Sequence, residues 1–480
     1  MAISIILISL SVSALICLVV KHRGVIEVVT VLAALVAFVL SLKIALGVAA
    51  TGSYAPNLLF SVDSLGAIVM MLIALVGLAA VAYSVAYLRE ETKKQILGFN
   101  RVRQYFILLN LFLGAMFLAT SSASPIITWI SIEATTLSTA FLISFYNKPS
   151  SMEAAWKYLI INSIGLLLAF FGTLLYLTTF ANAGEAGFVT WNSLIANAAN
   201  LNPMIAKMAF IFVLVGYGTK VGLSPMHTWL PDAHSKAPAP VSALLSGVLL
   251  NVALITILRF KVVSDLVVGP QFAQNLLIAF GLLSVLVAAF IILTQKNYKR
   301  LLAYSSIENM GIMALGFGFG GLGVAAAILH MIYHALFKSA LFFSAGNVFL
   351  KYSSTKIANV RGVLTALPVT GVLFLAGFFA ITGTPPFGIF LTKIAILTAG
   401  MQTHPVIAVI VILAVALLFV GFFKHVSTIM FGDKPADLKA GEKNIWLIVP
   451  PLTLIGMAFY LSFYLPSFLK TLLTVAASHF

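Results

Sequence analysis

The sequence predicts an all-α integral membrane protein, and three observations support that fold class. Of the 480 residues, 61% are hydrophobic and only 9% are charged, and the mean hydropathy is +1.10. Soluble chains carry about 25% charged residues, so this chain has too few charges to cover a water-facing surface. Apolar runs of about 20 residues, the length that crosses a bilayer, recur along the whole chain. A soluble enzyme and a disordered chain are therefore excluded, and the single Cys17 excludes a disulfide scaffold and an all-cysteine metal or iron–sulfur site.

Apolar segments predict about fourteen transmembrane helices in chain order. They lie near residues 2–20, 25–47, 62–88, 104–121, 124–146, 154–180, 204–229, 238–260, 273–294, 299–319, 322–350, 364–398, 404–431 and 445–474. The first segment lacks a charged n-region and a small-residue cleavage site, which favours a helix over a signal peptide. We expect four regions: residues 1–103 with three helices, 104–260 and 261–431 as two half-channel units, and 432–480 with a loop and the last helix.

Lysine and arginine are distributed unevenly between alternate connections. If the 89–103 connection is cytoplasmic, 19 of the 28 basic residues, Lys443 among them, lie in cytoplasmic connections and three lie outside. This positive-inside asymmetry predicts that both termini are on the outer side. It also explains the net charge of +15 without a nucleic-acid partner. Lys43, Lys207 and Glu27, near span ends, are expected to snorkel towards the interface.

Two Glu–Lys pairs recur at matching places. Glu133 in WISIEATT precedes Lys220 in GYGTKVGLSP by 87 residues, and Glu308 in SSIENMG precedes Lys393 by 85. Gly/Pro breaks accompany both lysines, in spans 7 and 12, and such breaks in two halves are typical of repeated transporter units. Five spans separate the matching positions, and an odd number reverses direction. We therefore expect two inverted five-helix repeats, spans 4–8 and 9–13, with coincidence in a glycine-rich chain as the alternative.

Glu133 and Lys220 are each flanked by apolar turns, which predicts that both are deep in the membrane. A charge at that depth costs several kcal/mol unless it is paired or hydrated. Contact between a carboxylate and an ammonium favours both charged forms, and separation lets the lysine release its proton. The pair is therefore predicted to be a proton-loadable device. The alternative is a static salt bridge that fixes helix packing, although buried pairs are weak evidence for stability.

The run HMIYHALFKSALFF places His330, His334 and Lys338 at positions i, i+4 and i+8, along one helix face. Because imidazole titrates near neutrality, these residues are predicted to form a hydrated proton wire. Two alternatives stay open. The histidines could ligate a metal, although neither an HExxH glutamate nor a third ligand at fitting spacing accompanies them. They could also cap backbone carbonyls.

The run SPMHTWLPDAHSKAPAP at the cytoplasmic end of span 7 contains His227, Asp232 and His234. Its prolines predict a stiff, non-helical connector. His234 and Asp232 are candidates for a proton entry port, and a plain capping role for Asp232 is the alternative.

Three further polar positions are noted. Asn251 is a lone amide in span 8, where it is predicted either to bond between helices or to continue a wire. Lys157 stands four residues after Glu153, which predicts a helix pair or a modulator of Glu133. Asp63 is expected to cap the N-terminus of span 3. The sequence has no P-loop, no GxGxxG after a strand, no nucleophile elbow and no cysteine cluster, so no redox cofactor site is predicted.

The run TKVGLSPMHTWLPDAHSKAPAPVSALLSG resembles the signature of the antiporter-like subunits of respiratory complex I and of Mrp cation/proton antiporters. KRLLAYSSIENMG and HMIYHALFKSALFFSAGNV resemble it again, and the likeness covers roughly residues 60–430. SALLSGVLLN, SIENMGI and HALFKSALFFSAGN are most similar to the antiporter-like subunits of membrane-bound, energy-converting NiFe-hydrogenases and formate hydrogenlyase.

The resemblance implies a fourteen-helix fold with inverted repeats and proton or sodium translocation through two half-channels joined by a hydrated axis. The ionisable residues that match the family pattern are those of helices five, seven, eleven and twelve: Glu133, Lys220, the group His330, His334 and Lys338, and Lys393. Two departures matter. Many members carry lysine or histidine in helix eight, where this chain has Ser246 and Asn251. Related hydrogenase-type subunits often have glutamate in helix twelve, where this chain has Lys393.

We therefore expect a cofactor-free, non-catalytic, H⁺- or Na⁺-translocating subunit of a complex I-like redox complex of the hydrogenase type, in a prokaryotic cytoplasmic membrane. Its expected partners are other membrane proteins, including further antiporter-like subunits, and a hydrogenase- or quinone-type redox module. The alternatives are a component of an Mrp-type secondary antiporter, driven by ion gradients alone, and a membrane scaffold.

Overall fold

The computed structural model describes residues 1–180, 188–442 and 444–480, and this part of the chain is mostly helical. The predicted all-α class is confirmed. Lys443, one of the basic residues used for the orientation, lies outside the described residues.

The chain begins with three long apolar helices: α1 (Ala2–Val19), α2 (Arg23–Thr51) and α3 (Ser64–Lys93). A short antiparallel hairpin, β1 (Tyr54–Asn57) and β2 (Phe60–Val62), joins α2 to α3. The Asp63 carboxylate accepts a hydrogen bond from the backbone N–H of Gly66 at 2.6 Å. This contact satisfies one of the free donors at the start of α3, and it confirms the predicted cap.

One order of helices then occurs twice: three long helices, a broken helix and one further helix. In the first set the three long helices are α4 (Phe99–Ser121), α5 (Pro125–Ile143) and α6 (Pro149–Leu177). The short α7 (Trp191–Ala196) lies in the connection before the broken helix, which consists of α8 (Pro203–Val221) and α9 (Trp229–Lys236). The further helix consists of α10 (Ala239–Leu244) and α11 (Leu250–Val268). The second set is α12 (Pro270–Ile292), α13 (Tyr298–Phe319), α14 (Leu322–Tyr352), the short α15 (Val363–Ala366), the broken pair α16 (Pro368–Thr382) and α17 (Gly388–Thr403), and α18 (Pro405–Met430).

By length and composition, eleven of the described helical segments can cross a membrane. The number is twelve if α19 (Val449–Phe463) and α20 (Ser467–Ala477) form one span. Each predicted apolar segment coincides with a helix or a broken pair. Two of the predicted segments are not among these twelve: α13, which carries Glu308, and the pair α16 and α17. In that pair, α16 is a shorter apolar helix of 15 residues.

Two predicted elements differ in the structure. The sequence predicts one helix for the last span, but α19 and α20 are bent by 75°. Pro466 stands at the break, where it supplies no backbone donor and disfavours helix in the residue before it. The connector after Lys220 is predicted to be non-helical, but residues Trp229–Lys236 form α9. Pro231 lies in the first turn of α9, where a backbone donor has no helical acceptor, so the helix tolerates it.

Burial is greatest in the helices that carry polar groups. In the helical segment Ala239–Val268, which contains α11, all residues of the apolar 18-residue stretch are buried, and in α14 89% of them are buried. The corresponding share for α1 is only 33%. Polar groups inside lipid are expensive and are kept in the bundle interior, which fits the burial of the polar residues on α11 and α14.

Candidate functional site

Lys220 lies at the end of a broken helix. Its helix, α8, ends at Val221 because Gly222 adopts a left-handed conformation (φ 80°), and a Cβ there would meet Leu230 Cδ1 at 2.5 Å. Glycine is therefore required for this break. The C-terminal carbonyls of a helix carry partial negative charge, so the break favours a cation at this position.

The Lys220 ammonium is completely buried, and its partners come from α5 and α6. Nζ donates hydrogen bonds to Thr136 Oγ1 at 2.9 Å and to the Tyr158 hydroxyl at 2.6 Å. The ammonium lies 4.8 Å from the centroid of the Tyr158 ring, beside the hydroxyl at the edge of the ring. Because a hydroxyl both donates and accepts, this site suits the ammonium and the neutral amine alike.

Glu133 does not form the expected ion pair with Lys220 in this structure. Its Oε1 accepts a hydrogen bond from Ser163 Oγ at 3.0 Å, while its buried Oε2 has no hydrogen-bond partner among the described residues. No ion pair within 4.0 Å joins Glu133 to Lys220 in the part of the chain that the structure describes. The first Glu–Lys pair is therefore open, and it is not a static salt bridge.

The second Glu–Lys pair is closed. Lys393 Nζ lies 2.8 Å from Glu308 Oε1, and the two side chains are 5% and 0% exposed. Lys393 belongs to α17, yet its ammonium also contacts the last two carbonyls of α16, Ile381 O and Thr382 O, each at 3.4 Å. In both halves the ammonium therefore lies at the end of the first part of a broken helix.

His330 joins three helices. Its Nδ1 shares a hydrogen bond with Thr392 Oγ1 at 2.8 Å, and its Nε2 shares one with Asn309 Oδ1 at 2.9 Å. Asn309 in turn donates to Glu308 Oε2 at 2.5 Å. The imidazole is thus connected through one amide to the Glu308–Lys393 ion pair.

The three residues of the predicted α14 face are all completely buried on one continuous helix. Lys338 Nζ donates to Leu302 O at 3.0 Å and to Ser305 Oγ. His334, between Lys338 and His330, has no hydrogen-bond partner on either ring nitrogen among the described residues. No group of three or more His, Cys, Asp or Glu side chains that could hold a metal ion is found in the described ranges.

Polar side chains without charge join the segment Ala239–Val268 to α13. Residues Leu245–Leu249 form a π-helical turn between α10 and α11, and Ser246 Oγ shares a hydrogen bond with Ser306 Oγ at 2.7 Å. Asn251 Nδ2 donates to Gly247 O at 2.9 Å, so the amide bonds within its own helix rather than between helices. Its buried Oδ1 has no partner within the described ranges. Such an orphan acceptor suits an ordered water.

The predicted port residues Asp232 and His234 are separated. Asp232 pairs with Arg300 and lies 3.6 Å from Lys157 Nζ. The His234 ring is completely buried and stacks on Phe342, with 4.7 Å between ring centroids. The two residues lie two positions apart on α9 and contact different partners, and their role as a proton entry port stays a prediction.

Lys157 and His227 also have partners of their own. Lys157 Nζ lies 2.6 Å from Glu153 Oε1, which confirms the helix pair. Glu153, Lys157 and Asp232 line a cavity of about 260 Å³. His227, nearly buried, shares a hydrogen bond from Nδ1 with Ser224 Oγ at 3.0 Å.

Several buried polar residues are not predicted by the sequence pattern. Glu91, in the charged run YLREETKK, has the sequence context of a loop residue but is completely buried and accepts a hydrogen bond from the Tyr146 hydroxyl at 2.6 Å. Lys299 is only 3% exposed and donates to Ala237 O at 2.9 Å. Tyr158, the partner of Lys220, is one of 14 tyrosines and carries no sequence signal of its own.

Glu27 does not snorkel, and that prediction is wrong. The residue is 3% exposed and pairs with Arg23 Nε at 2.8 Å and with Arg89. Two guanidinium groups that converge on one carboxylate explain the burial of Glu27, since a buried charge needs hydrogen-bonded partners.

Comparison with known proteins gives consistent matches. The family model described as NADH:quinone oxidoreductase/Mrp antiporter, TM, matches residues 122–419, and the model of the N-terminus of NADH-ubiquinone oxidoreductase (complex I) chain 5 matches residues 49–96. The chain is 38% identical to a hydrogenase-4 component F homolog of Methylacidiphilum infernorum over 80% of this chain and 81% of that protein.

Two further similarities are more distant. The chain is 28% identical to a Na⁺/H⁺ antiporter protein of Alkalihalophilus pseudofirmus, over 85% of this chain but only 52% of that longer protein. A chain of the membrane-bound sulfane sulfur reductase, an archaeal respiratory membrane complex, shares the fold with a TM-score of 0.86 at 24% identity, covering 100% of this chain and 96% of that one.

Proposed function

Because the chain belongs to the NADH:quinone oxidoreductase/Mrp antiporter transmembrane family and is a multi-pass integral membrane protein, we propose that it is an ion-translocating subunit of a membrane complex. The complex is of the complex I-like redox type, similar to membrane-bound hydrogenases, and contains further antiporter-like subunits and a redox module. The subunit itself carries no cofactor and performs no redox chemistry.

The observation that carries this proposal is the contrast between the two Glu–Lys pairs. Glu308 and Lys393 are in contact at 2.8 Å, whereas Glu133 bonds Ser163 and leaves Lys220 to two hydroxyls. A static scaffold does not need two equivalent pairs in different states. A translocating device does, because charge must be held in one half while it is released from the other.

In the proposed cycle, redox chemistry in the partner module moves Glu133 towards or away from Lys220. Approach favours the charged ammonium, and separation leaves Lys220 with Thr136 and Tyr158, whose hydroxyls can accept from the ammonium or donate to the amine. A released proton passes the polar side chains around Asn251 through water. It then reaches Lys338 and, through the chain of contacts on α13, Lys393.

The sequence pattern supports the other parts of the proposal. Regions 104–260 and 261–431 are two inverted half-channel units in a fourteen-span architecture, flanked by 1–103 and 432–480. Both termini face outwards from a prokaryotic cytoplasmic membrane. His330, His334 and Lys338 form the joining axis, with His227, His234, Asp232 and Lys157 at the cytoplasmic side of the first unit.

The test is Lys220→Ala in the assembled complex, reconstituted in proteoliposomes with its electron donor and acceptor. We expect ion movement per electron to fall at least tenfold while the complex still assembles. The control is Lys207→Ala, an exposed lysine of the same helix α8, which should pump normally. Unchanged redox-coupled pumping in Lys220→Ala, with the complex intact, would refute the mechanism.

A secondary antiporter of the Mrp type is the second candidate. It is favoured by the similarity to the Na⁺/H⁺ antiporter protein of Alkalihalophilus pseudofirmus, which extends over 85% of this chain. The identity of the co-purifying proteins separates the two functions. A NiFe-site or quinone-site partner supports the redox complex, and a purely antiporter-like set of partners supports the secondary antiporter.

A further inference from the structure

The Lys393 ammonium lies in a cage of oxygen atoms. Glu308 Oε1 is 2.8 Å from Nζ, and the carbonyl oxygens of Ile381 and Thr382 are each 3.4 Å away. These carbonyls belong to the last two residues of α16, and Gly383, with φ 85°, ends that helix. The carbonyls at a helix end have no intrahelical donor, and they carry the negative end of the helix dipole.

A carboxylate together with the carbonyls of a broken helix is the donor set that binds alkali cations at the centre of many transporters. We propose that the Lys393 ammonium is a tethered cation that fills a sodium-type site, and that it thereby makes the second half-channel selective for protons. A lysine can deliver and receive H⁺ at this cage, but Na⁺ cannot enter while the ammonium is present. The inference rests on the proposed ion-translocating function, and it specifies the ion.

The first half-channel lacks this cage. Lys220 is held by the hydroxyls of Thr136 and Tyr158, with no carboxylate within 4.0 Å among the described residues. Removal of the Lys220 ammonium would therefore leave no set of converging anionic oxygens. Lys220 is the matched control for Lys393, since both are buried lysines beside a helix break.

Packing around Lys393 suggests the substitution to use. A Cβ on Gly383 would lie 3.0 Å from Lys393 Cδ, so the lysine stem fills the space beside the helix end. Lys393→Met keeps most of that stem and removes only the charge. It leaves Glu308, completely buried, without its counter-ion, and the carboxylate must then be neutralised by a proton or by another cation such as Na⁺.

The experiment measures equilibrium ²²Na⁺ binding to the complex purified from its own membrane, with choline chloride holding the ionic strength constant. Four forms are compared: wild type, Lys393→Met, Lys220→Met, and the double variant Glu308→Gln/Lys393→Met. We expect Lys393→Met to gain one saturable ²²Na⁺ site per copy of this chain over wild type. Lys220→Met and the double variant should gain none.

An assembled Lys393→Met complex without the extra site overturns the proposal, as does a gain that survives Glu308→Gln. If Lys393→Met does not assemble, the proposal is tested by the sodium dependence of proton pumping in the wild-type complex. Proton pumping that persists at full rate in sodium-free choline medium supports the proposal, and pumping that requires Na⁺ and is lost in Glu308→Gln overturns it. Because ²²Na⁺ binding does not depend on turnover, a failure of the pumping function and a failure of the sodium-type cage give different results.

Discussion

Tyr158 should contribute to ion movement although it carries no charge. Its hydroxyl accepts a hydrogen bond from Lys220 Nζ at 2.6 Å and contacts Thr139 Oγ1. Tyr158→Phe removes this hydroxyl and keeps the buried ring, so the packing of the side chain is retained. The substitution therefore tests one hydrogen bond at the lysine.

The size of the effect follows from the charge on the donor. Hydrogen bonds to charged groups contribute about 1.5–3 kcal/mol, and each 1.4 kcal/mol is about a factor of ten in an equilibrium constant. If the protonated lysine in this position is an intermediate of the cycle, Tyr158→Phe should lower ion pumping roughly 10- to 100-fold. Lys220 keeps its hydrogen bond to Thr136 Oγ1 in this variant, so the loss should be smaller than that of removing the lysine.

The assay is redox-driven acidification or alkalinisation of proteoliposomes, with redox turnover measured in the same sample. Tyr333→Phe is the control, because the Tyr333 hydroxyl also donates one buried hydrogen bond, to Leu461 O at 2.8 Å, but joins α14 to α19. It should cost similar stability and leave pumping intact. Wild-type pumping by Tyr158→Phe, together with abolished pumping in Lys220→Ala, would refute the role of the hydroxyl.

Two further predictions concern stability. Glu27→Gln leaves Arg23 and Arg89 without their shared carboxylate, so we expect the free energy of unfolding to fall by about 1–3 kcal/mol. The Tm in detergent should be lower, while pumping per folded complex should be unchanged. An unaltered Tm would contradict the stabilising role of the Arg23–Glu27–Arg89 contacts. Gly216→Ala adds a Cβ that would overlap a backbone nitrogen of α6, so we expect the free energy of unfolding to fall by about 1–3 kcal/mol and the complex to assemble poorly. Gly114→Ala is the control, because no atom lies within 4 Å of its added Cβ, and it should behave as wild type in the same thermal assay.

Much of the architecture can be predicted from the sequence because bilayer physics is simple. A run of apolar residues of the right length has few alternatives to a helix, and the predicted runs are helices or broken pairs of helices. The positions of Lys220 and Lys393 beside helix breaks can be predicted because glycine and proline mark the breaks in the sequence itself. The contact between Glu308 and Lys393 matches the second of the two recurring Glu–Lys pairs in the sequence.

The parts that the sequence does not predict depend on tertiary contacts with no local signature. Glu91 stands in a charged run typical of a loop, and only the approach of Tyr146 from another connection explains its burial. The open state of Glu133 and Lys220 could not be predicted, since the same spacing in the second half gives a closed pair. A helix pattern determines which residues share a face, not which of two partners a flexible lysine selects.

The close approach of α6 and α8 has a consequence for the observation of this molecule at work. Gly165, Gly172 and Gly216 bring the two backbones into contact, so Tyr158 and Lys220 are carried by what is in effect a single rigid body. An optical or spin probe on the lipid-facing side of α6 would therefore report any displacement of the Lys220 backbone. The one native cysteine, Cys17, is buried, so a cysteine introduced at the exposed Ile164 can be labelled selectively and followed during turnover.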